Sequence, residues 1–228
     1  MSSSAPKSEE ELLGRCAEIA GMELSQLARG LNVTVPANLR QHKGWVGQLL
    51  ERALGASAGS LSEPDFQLIG VELKTLPLNR HGQPRESTYV CTVPLRAVGE
   101  RWEDSWVRNK LSRVLWLPVE SEPDIPLGRR RVGQAILWSP DEEQARILHR
   151  DWEELMEMIS LGKIEKITAK QGVYLQIRPK AADSHVHTHA IGDTGEQVLT
   201  NPRGFYLRTR LTAEILNSAH RQTAKTRG

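Results

Sequence analysis

Between Pro64 and Thr75 the chain reads PDFQLIGVELKT, an apolar run with an aspartate at its start and a glutamate and a lysine one residue apart near its end. The run has strand character: Val71 and Leu73 fall on one face, Glu72 and Lys74 on the other. A fully covered strand gains nothing from charge in its middle, because an unpaired buried ion is costly. Either the charged face is solvent, or the charges have a task that brings their partners close.

The surrounding sequence predicts a sheet with helices on its flanks. From Glu9, the positions Leu12, Cys16, Ile19 and Ala20 recur at helical spacing. GWVGQLLERALG predicts a second helix with a stripe of Val46, Leu49, Leu50, Ala53 and Leu54 and a stop at Gly55. LNRHGQP, with Gly82 and Pro84, predicts a turn, and STYVCTVPL a strand that forms a hairpin with the charged one. RVLWLPVE and QAILW predict two further strands. Ser139 is expected to cap a helix, with Pro140 at its first position and Glu142 completing a capping box. That helix runs through Leu148, Trp152, Leu155, Met156 and Ile159 and ends at Gly162. KIEKITAKQGVYLQIRPK reads as a hairpin, GFYLRT as a strand, and AEILNSAH as a short final helix before a basic tail. Irregular alternation of strands and helices indicates the mixed α/β class.

With 228 residues the chain suits one large domain or one domain with two lobes. No apolar run is long enough to span a bilayer, and MSSSAPKSEEELL lacks the order of a secretory signal, so a cytoplasmic protein is expected. Cys16 and Cys91 lie in apolar segments and read as buried thiols in a reducing compartment. The net charge of +2 is too small to indicate a nucleic-acid partner. Its distribution says more: Arg129 to Arg131, RNKLSR, PRGFYLRTR and HRQTAKTRG are basic clusters that suit either a polyanion-binding face or a solvated surface.

Two carboxylates converging on one spot repel each other unless a divalent cation lies between them. A turn near Gly70 can bring Asp65 alongside Glu72. Mg²⁺ takes hard oxygen ligands and keeps several waters, which become better nucleophiles when bound, while the ion polarises a phosphoryl oxygen. A lysine alongside supplies a compact positive charge for the transition state. An Asp, a spacer and Glu-x-Lys on a strand is thus the logic of metal-dependent phosphodiester hydrolysis, with Glu51 available as a third acid. The alternative is a solvent-facing Glu–Lys pair on an amphipathic strand.

KGWVGQLLERALGASAGS, PDFQLIGVELKTLP, KLSRVLWLPVE, LWSPDEEQARILHRDWEELMEMI and YLQIRPKA together resemble the MutH family, strand-discriminating endonucleases of methyl-directed DNA mismatch repair, over about Glu9 to Leu211. The resemblance implies a restriction-endonuclease-like fold: a central mixed sheet flanked by helices, in two lobes that form a clamp on DNA. It implies a Mg²⁺-dependent nuclease that nicks the unmethylated strand of hemimethylated GATC, 5′ to the G, and is switched on by MutL after MutS finds a mismatch. Asp65, Glu72 and Lys74 would be catalytic, with Glu51 as the extra acid and Asp65, Glu72 and Glu51 as metal ligands. Lys43 matches a lysine near the active site; Arg178, Pro179, Lys180 and Tyr206 match base-reading loops. Residues 1–8 are expected to be disordered, roughly 9–110 to form the catalytic lobe, roughly 111–211 the reading lobe, and 212–228 a C-terminal helix and basic tail.

The side chains of the reading segments agree with this. YLQIRP alternates, with Val173, Leu175 and Ile177 inward and Tyr174, Gln176 and Arg178 outward; Pro179 then breaks the strand and exposes the next backbone groups. Arg and Lys donate to guanine O6 and N7. Tyr206, outward between Phe205 and Leu207, could test the exocyclic N6 of adenine or be a half-buried strand tyrosine. One active site suits a monomer that cuts one strand. HVHTH (His185, His187, His189) could bind a metal but sits in a polar stretch without cysteine, and the family does not use histidines there. Trp116, Trp138 and Trp152 read as core. The remaining alternatives are a free-standing GATC restriction endonuclease and a non-cleaving reader of methylation state.

Overall fold

The computed structural model describes residues 4–39, 42, 44–56, 63–96, 99–180 and 186–226. In chain order the elements are α1 (Glu9–Ile19), α2 (Leu24–Gly30), α3 (Trp45–Leu54), β1 (Glu72–Leu78), β2 (Thr88–Thr92), α4 (Trp106–Leu111), β3 (Val114–Glu120) and β4 (Ile136–Trp138). There follow α5 (Glu142–Ser160), β5 (Leu175–Pro179), β6 (Thr188–Ile191), β7 (Gln197–Thr200), β8 (Arg203–Leu207) and α6 (Thr209–Thr226). The chain divides into two compact units: residues 1–86, 113–139 and 215–228 in one, 87–112 and 140–214 in the other. The units interleave along the sequence, where two consecutive stretches were expected. The class is mixed α/β, as read from the sequence.

In the first unit β3 is central, with β1 parallel on one side and β4 antiparallel on the other. One face of this sheet carries Leu73 of β1 with Leu115, Leu117 and Val119 of β3. It packs against Leu12, Cys16 and Ile19 of α1, Leu24 and Leu27 of α2, and Leu49, Leu50 and Leu54 of α3. The three α3 leucines are at most 1% exposed, and their burial contributes on the order of 6 kcal/mol. Ser8 caps α1 by accepting the Glu11 N–H, and Glu9, Glu10 and Glu11 lie in the first turn, where the helix dipole favours acids. Burial pushes the Cys16 thiol up to about 12, so it stays protonated within this core.

In the second unit β8 is central, flanked antiparallel by β2 and β5, and β6 and β7 form a separate hairpin. The helix α5 packs on β5 with Leu148, Trp152, Leu155, Met156 and Ile159 buried. Its cap is Asp141, reciprocated by Gln144, and not the expected Ser139 and Glu142. Asp141 Oδ1 accepts the Gln144 N–H at 2.8 Å, and Pro140 precedes it outside the helix.

Three further expectations are corrected. The strand β2 does not form a hairpin with β1, which pairs with β3 instead. The turn itself exists, since Asn79 N–H donates to Gln83 O at 2.9 Å and Leu78 bridges Pro84. Arg85 N–H donates to Pro77 O at 3.0 Å, but Pro77 has no N–H to return the bond, so the ladder stops after that bridge. Of the KIEKITAKQGVYLQIRPK segment only β5 is a strand; residues 164–166 form a 3₁₀ turn. The expected basic tail is helical, since α6 continues to Thr226. Among the described residues no helix is long and apolar enough to cross a membrane.

Candidate active site

The local fold around Asp65 is set by one turn. Phe66 and Val71 exchange backbone hydrogen bonds of 2.9 and 3.3 Å, enclosing a 3₁₀ turn over Gln67–Ile69. Gly70 closes it with φ 65°, a left-handed conformation that glycine adopts without a Cβ penalty. One step out from the Phe66–Val71 bridge, the same register sets Asp65 opposite Glu72. Asp65 Oδ2 then accepts the N–H of Leu73 at 2.8 Å, which fixes the carboxyl beside the first residues of β1. Lys74 Nζ donates to Glu72 Oε1 at 2.6 Å.

Exposure decides between the two readings of this strand. A solvated Glu–Lys pair would be open, yet Glu72 is 3% and Asp65 7% exposed, and the Lys74 side chain only 12%. Along β1, Val71 and Leu73 face the helical core as expected, while Glu72 and Lys74 share the opposite face and pair in register with Val114 and Trp116 of β3. Burying a charge pair costs several kcal/mol per ion before its attraction is counted, so the pair gives the fold only weak support.

The donors in this group are carboxylate oxygens, which suit a hard divalent cation, and Mg²⁺ is commonly held through one or two carboxylates with waters completing its shell. Asp65 and Glu72 fit that requirement. Glu51 lies half-buried on the last turns of α3, which packs on β1. Among the described residues no group of three or more His, Cys, Asp or Glu is gathered as a protein-only metal cage would require. The structure thus brings Asp65, Glu72 and Lys74 to the start of β1 and sets Glu51 on the helix that packs on that strand. Lys43 lies outside the described residues.

The second unit carries the other candidates on one face of its sheet. Tyr206 on β8 lies opposite Tyr89 on β2 and Gln176 on β5; Gly204 lies opposite Thr92 and Arg178. Arg178 is exposed, donates to Ser87 Oγ at 2.6 Å and lies 5.8 Å from the Tyr206 ring centroid. Lys180, also exposed, donates to the Tyr89 hydroxyl and to Thr92 Oγ1 at 3.2 Å. Tyr206 is half-buried; burial first, and the charge of the neighbouring Tyr89 phenol second, push its phenol above the ordinary 10.0 against the opposing pull of Arg178. It is therefore a protonated donor at neutral pH. Pro179 ends β5 without freeing the next backbone donor, because the Lys180 N–H donates to Pro202 O at 2.8 Å. Tyr174 was expected outward and is buried, its hydroxyl donating to Glu214 at 2.6 Å.

Most of the arginine clusters are tied within the chain. Arg113 binds Glu9, Arg131 binds Gly21 O and Glu23, Arg203 binds Glu165, and Arg208 binds the carbonyls of Ala169 and Gln171. Of the HVHTH histidines, His189 lies on β6 in a hairpin where a polar loop was expected, and His185 is outside the described residues. Trp116 and Trp152 are buried and Trp138 partly so. Two residues went unread in the sequence. Tyr89 is outward in STYVCTVPL, but its partners emerge only from the strand order. Asp151, 1% exposed on α5, accepts the N–H groups of Val173, Tyr174 and Leu175 at 2.7, 2.6 and 3.0 Å. Its signal was an acid next to the apolar stripe of that helix.

Residues 54–151 match the family model described as DNA mismatch repair enzyme MutH. The DNA mismatch repair protein MutH of Shewanella sp. (strain W3-18-1) is 54% identical over 215 residues, covering 94% of this chain and 96% of that protein. The protein of the same name from Escherichia coli O1:K1 / APEC is 55% identical over 214 residues, 93% of each. With the mixed sheet flanked by helices already in view, likeness of this extent shows that the chain belongs to the MutH family of DNA mismatch repair enzymes, with its restriction-endonuclease-like fold.

Proposed function

We propose that this chain is a Mg²⁺-dependent endonuclease that nicks the unmethylated strand of hemimethylated GATC, 5′ to the G, as a monomer switched on by MutL downstream of MutS. The observation that carries the reading is the buried group of Asp65, Glu72 and Lys74 at the start of β1. Family membership supports the mismatch-repair setting.

Asp65 and Glu72 would hold the cation, with Glu51 as a third acid; the ion would supply Lewis-acid polarisation of the phosphate and a more acidic water. The protein's own residues do the rest. The Leu73 N–H fixes the Asp65 carboxyl, so its position is set before substrate arrives. Lys74 compensates the Glu72 charge at rest and offers an ammonium to the negative charge that grows on the phosphoryl oxygens. Burial keeps bulk water away from these charges and strengthens each interaction. Recognition would fall to the face with Arg178, Lys180 and Tyr206, where cationic donors suit guanine O6 and N7 and the Tyr206 phenol oxygen can accept from adenine N6.

The test is nicking of a hemimethylated GATC plasmid with and without MutL, with the broken strand mapped. Nicks confined to the unmethylated strand and stimulated by MutL are expected. Efficient cutting without MutL would point to a free-standing restriction enzyme, and binding without any nick to a non-cleaving reader; either result overturns the proposal.

A further inference from the structure

Tyr89 belongs to no motif in the sequence, yet it touches two of the candidate reading residues. It lies opposite Tyr206 across the β2–β8 pairing, and the two rings meet edge to face with centroids 5.4 Å apart at 65°. Gly204 makes room for them: a Cβ there would come within 2.9 Å of a Tyr89 ring carbon and 3.0 Å of a Tyr206 ring carbon. The Tyr89 hydroxyl accepts from Lys180 Nζ and lies 3.0 Å from Thr92 Oγ1, which also accepts from Lys180 at 3.2 Å. The ammonium lies 4.1 Å from the Tyr89 ring centroid. An exposed lysine ordinarily samples many rotamers, and here three contacts hold one of them.

We infer that Tyr89 is a specificity-positioning residue: its hydroxyl, with that of Thr92, fixes Lys180 against the Tyr89–Tyr206 pair and presents the ammonium to acceptors on a DNA base edge. The inference rests on the reading face described under Proposed function. An ammonium has three N–H donors. The two hydroxyls take two of them, and the third is aimed by that constraint at an acceptor such as guanine O6 or N7. Without the hydroxyls Lys180 keeps its charge and its general attraction to phosphates. It must then lose its side-chain freedom at the moment of base contact, which weakens cognate binding selectively.

The experiment measures affinity of the full chain for a GATC duplex and for a scrambled duplex of equal length, without added divalent cation so that cleavage does not intervene. Tyr89→Phe keeps the ring and removes the hydroxyl; Thr92→Val removes the second acceptor from an exposed position and carries the test should the first variant not fold. Each is expected to lower the GATC-over-scrambled ratio by about 3- to 10-fold, the factor a single hydrogen bond is worth. Scrambled-duplex affinity and its salt slope should not change. In a Lys180→Met background Tyr89→Phe should have no further effect, since the cycle then lacks the coupled partner. A wild-type chain that prefers GATC alongside variants with an unchanged ratio overturns this inference alone. An undiminished Tyr89→Phe effect in the Lys180→Met background also overturns it. A wild-type chain with no preference for GATC overturns the reading face and this inference together.

Discussion

Asp65 in the first unit and Asp151 in the second are both buried aspartates that accept backbone N–H groups, and they do different work. Asp151 Oδ2 takes three successive N–H groups at the start of β5, so its charge is spent on the backbone. Arg150 stands 3.8 Å from its Oδ1, an atom without a hydrogen-bond partner among the described residues. Asp65 accepts the Leu73 N–H opposite a second buried acid, Glu72, which is itself paired with Lys74. Burial of a carboxylate therefore does not by itself mark a site. The mark is a second acid and a cation within reach, where the fold has gathered charge it does not need.

The sharpest test of that contrast is the same substitution at both positions. Asparagine at 65 can still accept the Leu73 N–H through its amide oxygen, so stability should change by less than about 1 kcal/mol. Nicking should fall by about 10³-fold or more, because the anionic oxygens that hold and orient the reacting groups are lost. Glu72→Gln should behave alike, with GATC binding retained in a filter or gel assay. An Asp65→Asn chain that nicks normally would break the comparison outright.

The next largest effect is on stability. Asp151→Ala leaves three N–H groups without their acceptor, two of them buried and that of Val173 partly so, and each buried one costs about 1–3 kcal/mol. Because these costs overlap, a loss of about 4 kcal/mol is expected in urea unfolding. Asp151→Asn keeps an oxygen in place and should cost only about 1 kcal/mol. Equal losses for alanine and asparagine would mean that the charge, and not the three bonds, is what the second unit uses.

The same contrast explains what could be read in advance. Asp65, Glu72 and Lys74 lie within ten residues of one another, joined by one turn and one strand. Short-range chemistry of this kind is written in a motif, and so were α1, α3, β3, β4 and the apolar stripe of α5. The proposed reading face is assembled from β2, β5 and β8, which are remote in sequence, so its composition depends on strand order. Arg178, Lys180 and Tyr206 entered only through family resemblance, and Tyr89 did not enter at all. The β1–β2 hairpin failed for a local reason that was visible in the sequence: Pro77 deprives the pairing of the donor a longer ladder needs. Where a strand was expected before β5, residues 164–166 form a 3₁₀ turn, and the chain enters β5 with the N–H groups of residues 173–175 on Asp151.

The smallest expected effect comes from a carboxylate that is neither buried nor reactive. Glu165 ties the end of β7 to the start of β8: Thr200 donates to its Oε1, and Arg203 reaches both oxygens at 2.9 and 2.8 Å. The Thr200 hydrogen bond first, and Arg203 second, hold its carboxyl below the ordinary 4.5. A lowered folded value means that folding favours the ionised form. The resulting stability is fully present above the ordinary value and is lost as pH falls through the lowered one. The Glu165 side chain is 69% exposed, so solvent screening should keep the contribution under about 1 kcal/mol. The difference in urea midpoint between the wild-type chain and Glu165→Gln should therefore be small and constant from about pH 7 to pH 5, and should narrow below the ordinary value of 4.5. A difference that grows on acidification would reverse the sign and show that protonated Glu165 is the form this junction prefers. The carboxylate would then resemble neither the backbone-bound Asp151 nor the charge-paired acids at the start of β1.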